Sequence, residues 1–141
     1  MITYQWTQHP DLTDATMLRT QVFHREQGFS LDSEFDEIDK TAHHLVAYQD
    51  GAPVGVGRIF PGEGGQWHLG RVAVLPQCRG QHLGAKMMVE MERKAKELGG
   101  RSIILSAQCQ ARGFYATLGY AAQGEEYLDE HCPHIDMVKV L

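Results

Sequence analysis

Between Arg71 and Ala107 the chain passes from an apolar run through a glycine-containing turn into a helical pattern, and then into a second apolar run. Apolar residues recur there at three- and four-residue intervals, which is typical of one face of a helix. They are Leu83, Met87, Met91, Ala95 and Leu98. The pattern ends at Gly99-Gly100, and the second run contains Ile103-Ile104-Leu105, as expected of a strand covered on both faces. Because a helix joins the two runs, we expect two parallel strands with a right-handed connection.

The segments on either side of this unit predict further strands. Alternating or apolar runs predict strands over 2–6, 44–49, 52–60, 67–75, 120–128 and 135–141, and helices over 11–28 and 111–118. Asp50-Gly51 is the dipeptide that best suits a two-residue hairpin turn, so strands 44–49 and 52–60 should pair antiparallel. Asp11 is the expected cap of the first helix. The sequence therefore predicts an α/β (α+β) fold with a mixed, mostly antiparallel sheet.

The size of the chain suits one compact unit. Its 141 residues, of which 43% are hydrophobic, predict a single domain over residues 1–141. No apolar run approaches the ~20 residues that cross a bilayer, so we expect no membrane partner. The first residues, Met1 to Trp6, lack the basic start and apolar stretch of a signal peptide, which predicts a cytoplasmic location.

Charge and cysteine content exclude several classes of partner. The net charge of -5 repels phosphate backbones, so we expect no nucleic-acid partner. Cys78, Cys109 and Cys132 are odd in number and widely spaced, which favours reduced thiols and argues against a zinc ribbon. No second cluster of ligand-type residues accompanies the run 129–134, so we expect no metal. The acidic stretch 32–39 is either a solvated loop or, if it lies near a pocket, an attractor of a cationic substrate.

The turn before the amphipathic helix has the composition of an anion site. Free N–H groups at a helix start, with Gly80 and Gly84 admitting close approach, would bind a phosphate group. The turn is not a P-loop, because three residues separate its glycines and Ala85 follows. Gly55 and Gly57 do not form a dinucleotide fingerprint either, because they lie within a strand. The residues alone leave a second interpretation open, in which the glycines serve only a tight turn and close helix packing.

This turn and its neighbours resemble the GCN5-related N-acetyltransferase (GNAT) superfamily. The run Arg79-Gly80-Gln81-His82-Leu83-Gly84 is similar to that superfamily's R/Q-x-x-G-x-G/A pyrophosphate loop, and the run from Phe114 to Tyr120 is similar to its F-Y-x-x-x-G-F/Y signature. The resemblance implies a twisted sheet of about six or seven strands with about four helices, and a parallel βαβ core at the cofactor site.

A narrower resemblance is to the ElaA/YjcF-like bacterial branch. The residues that carry it are Arg19, Val22-Phe23, Glu26-Gln27, Glu34, Asp36-Glu37, Asp39, His44-Leu45-Val46, Leu105-Ser106-Ala107-Gln108, Tyr127-Leu128-Asp129 and Pro133-His134. Some members of that branch carry a glucosamine-phosphate acetyltransferase label, but the branch as a whole does not define one acceptor.

The superfamily resemblance implies that acetyl-CoA is the cofactor and assigns residues to it. The assigned cofactor-binding residues are Val72, Ala73, Val74, Arg79, Gly80, Gln81, His82, Leu83, Gly84, Ala85, Gln108, Phe114 and Tyr115. Gln108 stands where many relatives have Asn. Tyr115 stands at the position of the family's general acid, and a phenol with an ordinary pKa near ~10 keeps its proton at neutral pH. The alternative is that Tyr115 only packs against the cofactor.

The resemblance leaves the base and the substrate-binding residues less defined. His68 occupies roughly the place where some relatives carry a Glu base, and Glu26, Glu34, Glu37 and His134 are alternatives. The candidate substrate-binding residues are Phe23, Glu26, Gln27, Glu34, Glu37 and His134.

The expected function is transfer of an acetyl group to a primary amine by direct attack in a ternary complex. We expect a small-molecule acceptor, and an amino sugar phosphate and a polyamine-like amine are both candidates. Two alternatives stay open: a protein acetyltransferase acting on lysine or an N-terminus, and a non-catalytic acyl-CoA-binding regulator. A homodimer is compatible with the size of the chain, but no residue pattern fixes the oligomeric state.

Overall fold

The computed structural model describes residues 1–141 as one seven-stranded sheet with helices packed against it. The strands are β1 (Ile2–Thr7), β2 (His43–Gln49), β3 (Ala52–Pro61), β4 (Gln66–Val74), β5 (Ser102–Gln108), β6 (Ala121–Asp129) and β7 (Cys132–Val140). The α-helices are α1 (Thr13–Arg19), α2 (Leu31–Glu34), α3 (Leu83–Glu97) and α4 (Arg112–Thr117). Short 3-10 turns cover Glu37–Lys40, Pro76–Cys78 and Cys109–Ala111. No helix of the protein has both the length and the apolar character needed to cross a bilayer.

The seven strands lie in the order β1-β2-β3-β4-β5-β7-β6. β4 and β5 run parallel, joined by α3, and every other neighbouring pair is antiparallel. This arrangement confirms the predicted mixed, mostly antiparallel sheet with a parallel βαβ core. Asp50 and Gly51 have φ of 51° and 86° in the β2–β3 turn, as the predicted hairpin requires.

The pairing of β4 with β5 covers only part of each strand. It runs from Gln66 opposite Ser102 to Leu69 opposite Leu105, after which both strands continue without pairing to one another. At this point Arg71 has φ of 52°, and the register between β3 and β4 shifts. Such an irregularity bends a strand away from its neighbour. The two strands therefore separate and leave a gap in the middle of the sheet.

Helix α3 packs closely against β3 because two strand positions have no side chain. A Cβ on Gly55 would lie 2.5 Å from Sδ of Met87, and a Cβ on Gly57 would lie 2.5 Å from Sδ of Met91. Both methionines are fully buried, with the helical spacing predicted from the sequence. These glycines therefore serve helix–sheet packing, which fits their exclusion as a nucleotide fingerprint.

The first helical region differs from its prediction in two respects. Its N-cap is Leu12 with no side-chain hydrogen bond, so Asp11 does not cap it, and α1 continues as π-helical turns over Thr20–Glu26.

The acidic stretch 32–39 is not a loop, because two short helices form in it. Ser30 Oγ accepts the Ser33 N–H at the start of α2, and Asp36 caps the turn Glu37–Lys40.

Candidate active site

A cavity of about 560 Å³ lies at the gap between β4 and β5. Its wall combines β3 to β5, the β6–β7 end of the sheet, the π-helical segment after α1, the region of α2, and α4. The predicted site residues that line it are Phe23, Gln27, Glu34, His68, Val72, Ala73, Val74, Arg79, Gln108, Tyr115 and His134. A cavity of this size is within the ordinary range of small-molecule sites.

The N-terminus of α3 has the features of an anion site. Gly80 has φ of 84° with open space where a side chain would be, and His82, the N-cap, has φ of 61° and makes no capping hydrogen bond. The N–H groups of 81–85 have no acceptor within the protein. Free N–H groups at the positive end of a helix dipole favour a bound phosphate. The Phe114 ring lies against this turn, 3.4 Å from the position of a Cβ on Gly84.

All three side-chain nitrogens of Arg79 donate hydrogen bonds within the protein. Nη1 and Nη2 donate to the two oxygens of Glu26 at 2.6 and 2.7 Å, and Nε donates to the Val74 carbonyl at 3.0 Å. The Arg79 hydrogen bonds lower the pKa of the Glu26 carboxyl. Glu26, predicted at the substrate, therefore neutralises Arg79 and lies outside the cavity wall.

The edge of β4 that faces the gap carries free backbone groups. The Leu75 N–H donates to the Val54 carbonyl on β3 at 2.9 Å, and backbone groups alternate between the two edges of a strand. The groups of Val74 therefore face the gap, where its carbonyl meets Arg79. Those of Val72, two residues earlier, share this edge, and Val72, Ala73 and Val74 all line the cavity.

Tyr115 on α4 places a phenol in the cavity wall. Its ring packs edge-to-face against Phe114 and Tyr120, with centroids 5.0 and 6.0 Å apart. Its hydroxyl makes no hydrogen bond within the protein, and burial raises the pKa of Tyr115 to about 12. The phenol is therefore protonated at neutral pH and able to donate that proton.

The amide of Gln108, at the end of β5, is fixed by two neighbours. Nε2 donates to Oε1 of Gln27 at 2.8 Å, and Oε1 accepts from Nε2 of Gln110 at 2.7 Å. Gln27 and Gln108 thus form one side of the cavity together. This contact joins the π-helical segment to β5 across the gap.

Two histidines line the cavity in different settings. The His68 ring stacks on Phe60 with centroids 4.8 Å apart, and its Nε2 lies close to Gly62, 2.8 Å from where a Cβ would be. His134 is only 6% exposed, and its Nδ1 lies 2.9 Å from the Cys132 carbonyl oxygen. Its Nε2 makes no hydrogen bond within the protein. The structure therefore brings both predicted histidines to the site, His68 on β4 and His134 on β7.

The acidic stretch is neutralised by arginines from distant parts of the chain. Arg19 binds Glu34 and Asp39 at 2.9 and 2.7 Å, Arg58 binds Asp36 and Asp39 at 2.7 and 2.8 Å, and Arg71 binds Glu34 at 3.2 Å. The interpretation of this stretch as a free attractor of cations is therefore wrong. Glu34 lines the cavity, but its charge already has partners.

The pKa values of these carboxyl groups reflect opposed effects. Burial opposes ionisation of Asp39, but hydrogen bonds and charges from Arg19 and Arg58 outweigh it and lower its pKa to about 2. For Glu34, burial outweighs the arginines and raises the pKa. Glu37 lies elsewhere: its exposed carboxylate pairs with Lys40 at 3.0 Å and does not line the cavity.

Three carboxylates in the cavity wall were not among the predicted site residues. They are Asp129, Glu130 and Asp136, at the β6–β7 end of the sheet. Asp136 accepts a hydrogen bond of 2.6 Å from the Tyr127 hydroxyl, which also contacts the Ser106 hydroxyl. Period-two alternation along β7 places Asp136 on the same face as His134, and this signal could have identified it.

The β6–β7 turn closes one side of the cavity. The Glu130 carboxylate accepts from the Ser33 hydroxyl at 2.5 Å and from the Ser30 N–H at 3.2 Å. His131 packs on Phe29 with ring centroids 5.0 Å apart. The turn is therefore tied to the start of α2, and the cavity has a wall there instead of an open groove.

Comparison with known proteins identifies the family. The family model described as "Acetyltransferase (GNAT) domain" matches residues 10–141. The uncharacterized N-acetyltransferase YjcF of Bacillus subtilis is 37% identical over 129 residues, which cover 91% of each chain.

Solved structures agree with this match. An acyl-CoA N-acyltransferase from Pseudomonas aeruginosa has a TM-score of 0.87 at 30% identity, with 99% of both chains covered. Escherichia coli ElaA has a TM-score of 0.87 at 26% identity, with 99% of both chains covered. The fold, the free N–H groups at α3 and these likenesses agree, and the chain belongs to the GNAT acetyltransferase family, whose members transfer acyl groups from acyl-CoA to amines.

Proposed function

We propose that this N-acetyltransferase transfers an acetyl group from acetyl-CoA to a primary amine of a small molecule. The observation that carries the proposal is that Arg79, at the start of the turn with the free N–H groups, donates to the Val74 carbonyl on the open edge of β4. A diphosphate needs the first feature, and an extended pantetheine arm needs the second. Arg79 and the β4 edge line one cavity, and the free N–H groups follow Arg79 directly in the chain, as a coenzyme A thioester would require.

Each part of the coenzyme has candidate residues in this chain. Main-chain groups of Gly80, Gln81, His82, Leu83, Gly84 and Ala85 would hold the diphosphate, with Arg79 adding positive charge. The β4 edge at Val72, Ala73 and Val74 would bind the pantetheine arm, with Gln108 at its side and the Phe114 ring against the α3 turn. The acyl group is proposed to be acetyl because the matching family model is an acetyltransferase domain.

The residues that line the cavity favour direct attack of the amine on the thioester over a route through an acetylated cysteine. Acetyl-CoA, when bound, supplies the thioester whose acetyl group is transferred. None of the three cysteines lines the cavity, and burial, followed by the charge of Glu126, raises the pKa of the Cys109 thiol. No thiolate is therefore in place to carry the acetyl group, which supports a ternary complex.

Two groups of the chain serve the transfer itself. A main-chain N–H on the β4 edge would stabilise negative charge on the carbonyl oxygen. The Tyr115 hydroxyl, whose pKa burial raises to about 12, would give its proton to the departing sulfur. The absence of a hydrogen bond from this hydroxyl to the protein leaves it free for that contact.

The closed side of the cavity favours a small acceptor over a peptide. An extended peptide needs an open groove on both sides of the reacting nitrogen. Here the hydrogen bonds of Glu130 to Ser30 and Ser33 join the β6–β7 turn to α2 across one side. A compact amine can enter such a cavity, whereas a chain passing through it would have to break these bonds.

The test is thiol release from acetyl-CoA with a panel of small primary amines and a panel of lysine-containing peptides with free N-termini. We expect release with at least one class of small amine, at a kcat/KM well above that for any peptide. Release that depends on peptides alone would contradict the small-molecule proposal. Release with no amine of either panel, despite bound acetyl-CoA, would contradict the amine proposal.

A further inference from the structure

The β6–β7 end of the cavity contains polar groups that the proposed chemistry has not used. We call Asp129, His134 and Asp136 the acceptor end; all three line the cavity. His134 and Asp136 lie on one face of β7, and Tyr127 of β6 lies opposite His134 with its ring stacked 6.2 Å away. The acceptor end is thus a set of side chains on adjacent strands.

His134 has one nitrogen fixed and the other free. A carbonyl oxygen can only accept, so the 2.9 Å contact between Nδ1 and the Cys132 carbonyl requires the hydrogen on Nδ1. In the neutral ring, Nε2 then carries the lone pair. His134 is only 6% exposed, and its Nε2 has no hydrogen-bond partner within the protein. A buried imidazole held in this tautomer is arranged as a proton acceptor.

The carboxylates of the acceptor end have no basic partner. Neither Asp129 nor Asp136 forms an ion pair, whereas Glu34 in the same wall is paired with Arg19 and Arg71. The only hydrogen bond to Asp136 comes from the neutral Tyr127 hydroxyl. This end of the cavity therefore has uncompensated negative charge, which attracts a cation.

A carboxylate next to the reacting nitrogen would oppose the reaction, because it stabilises the ammonium that must lose a proton. The negative charge favours reaction only if it binds a different positive group of the same acceptor. An acceptor with two cationic nitrogens meets both requirements. One nitrogen reaches His134 and becomes neutral, while the other stays charged beside the carboxylates.

We propose that the acceptor end binds a diamine or a related dicationic amine, with Asp136 and Asp129 holding the distal ammonium and His134 Nε2 taking the proton from the reacting one. This rests on the proposed function and names the class of its acceptor. It places the base on β7, whereas His68, on β4, is the rival for that role.

The protons balance in this scheme. On the way from ammonium to amide the reacting nitrogen loses two protons. The first passes to His134 Nε2 before attack and then to solvent. The second passes to solvent as the C–N bond forms and the C–S bond breaks, while Tyr115 gives its proton to the departing sulfur and regains one from solvent. No oxidant, metal or further reactant is required.

The first experiment compares a linear diamine with the monoamine in which a methyl group replaces the distal ammonium. We expect kcat/KM for the diamine to exceed that for the monoamine by about 10-fold or more, the worth of one charge-assisted hydrogen bond. Asp136→Asn keeps the acceptor oxygen for Tyr127 and should abolish most of this preference. Glu125→Gln, an exposed residue of β6 outside the cavity wall, makes the same change of net charge and should preserve it.

The second experiment measures the pH dependence of kcat/KM for His134→Gln. Tyr127 stacks on this ring. The other ionisable side chains that line the cavity with His134 are Glu34, Arg58, His68, Arg71, Arg79, Tyr115, Asp129, Glu130 and Asp136. We expect His134→Gln to lower kcat by roughly 100-fold or more and to remove the acidic limb of the profile. His9→Gln, at an exposed histidine that does not line this cavity, should retain both the rate and the acidic limb. His68→Gln should keep the acidic limb.

Binding without turnover separates this proposal from the proposed function. Calorimetric titration of the diamine into the protein without coenzyme should show binding that Asp136→Asn weakens by about 10-fold. Equal rates for diamine and monoamine, or unchanged diamine binding by Asp136→Asn, would overturn the acceptor class. An acidic limb that persists in His134→Gln and vanishes in His68→Gln would move the base to β4. Thiol release that fails with every amine, while the diamine still binds through Asp136, would instead count against acetyl transfer.

Discussion

Arg79, in the turn before α3, donates two hydrogen bonds of 2.6 and 2.7 Å to the carboxylate of Glu26. The pair holds the guanidinium beside the same turn whose N–H groups are free. An arginine that adds charge to a bound diphosphate would therefore have to share or exchange this carboxylate. The side chains are 43% and 36% exposed, so solvent screens the pair and its net strength is modest, roughly 0.2–1 kcal/mol.

Removing Glu26 should strengthen coenzyme binding. In Glu26→Gln the charge of Arg79 is no longer neutralised, and we expect the Kd for acetyl-CoA to fall by about two- to five-fold, in line with an exposed pair. Arg79→Ala should raise the same Kd. Calorimetric titration of both variants measures the effect, and a higher Kd in Glu26→Gln would show that the carboxylate instead positions Arg79 for the coenzyme.

The Tyr115 hydroxyl is expected to act in the chemical step and not in binding. In Tyr115→Phe, which keeps the ring contacts with Phe114 and Tyr120, kcat should fall by roughly 100-fold or more. The Kd for acetyl-CoA should not change. Because burial raises the pKa of Tyr115 to about 12, ionisation of this phenol should not limit wild-type activity below about pH 10. Full turnover by Tyr115→Phe would leave only the packing role.

Gly80 is needed for the backbone conformation of the α3 turn. Gly80 has φ of 84°, so Gly80→Ala should lower the unfolding free energy by about 1–2 kcal/mol. It should also weaken acetyl-CoA binding, because the N–H groups of the turn would shift. Gly64→Ala is the matched control: φ is 62° with open space around it, in a turn away from the cavity. Chemical denaturation should give similar stability losses for both variants. Only Gly80→Ala should lose affinity, and equal affinities would argue against a role for the turn in binding.

Asp39 should make the stability of the protein sensitive to acid. Its pKa is lowered from 3.8 to about 2 in the folded state, so its contribution is complete above the ordinary value and is lost as pH falls through the folded value. We expect roughly 2 kcal/mol of unfolding free energy to disappear between about pH 5 and pH 2 from this group.

Asp39→Asn tests this assignment. The variant should be less stable at neutral pH, because Arg19 and Arg58 lose a charged partner, and its stability should fall less steeply with acid. Asp11→Asn, at an exposed position whose side chain makes no hydrogen bond or ion pair, should keep the wild-type slope. A slope in Asp39→Asn as steep as in the wild-type protein would assign the acid sensitivity to other carboxylates.

Local signals in the sequence predicted most of the fold. Asp50-Gly51 forms the expected turn because both residues take positive φ, and the spacing of Met87 and Met91 matches their burial against β3. The arginine network could not be predicted in this way. Arg19, Arg58 and Arg71 come from three separate elements, and only the folded sheet brings them to the acidic stretch.

Site residues marked by a local sequence motif could be predicted. Residues whose role depends on which elements meet in the fold could not. The phenol of Tyr115 and the guanidinium of Arg79 line the cavity, and the N–H groups of the turn that follows Arg79 are free. Glu26 and Glu37 do not, because each finds a cation nearby, Arg79 and Lys40. Their charge could be read from the sequence, but their partners depend on which elements meet in the fold.

The central claim is that main-chain N–H groups at the start of α3 bind the diphosphate of the coenzyme. Backbone amide NMR spectra recorded during titration with coenzyme A measure this most directly. We expect the largest shifts on the amides from Gly80 to Ala85, with smaller ones at Val72 and Val74. Saturating coenzyme that leaves the amides of Gly80 to Ala85 unshifted would contradict it.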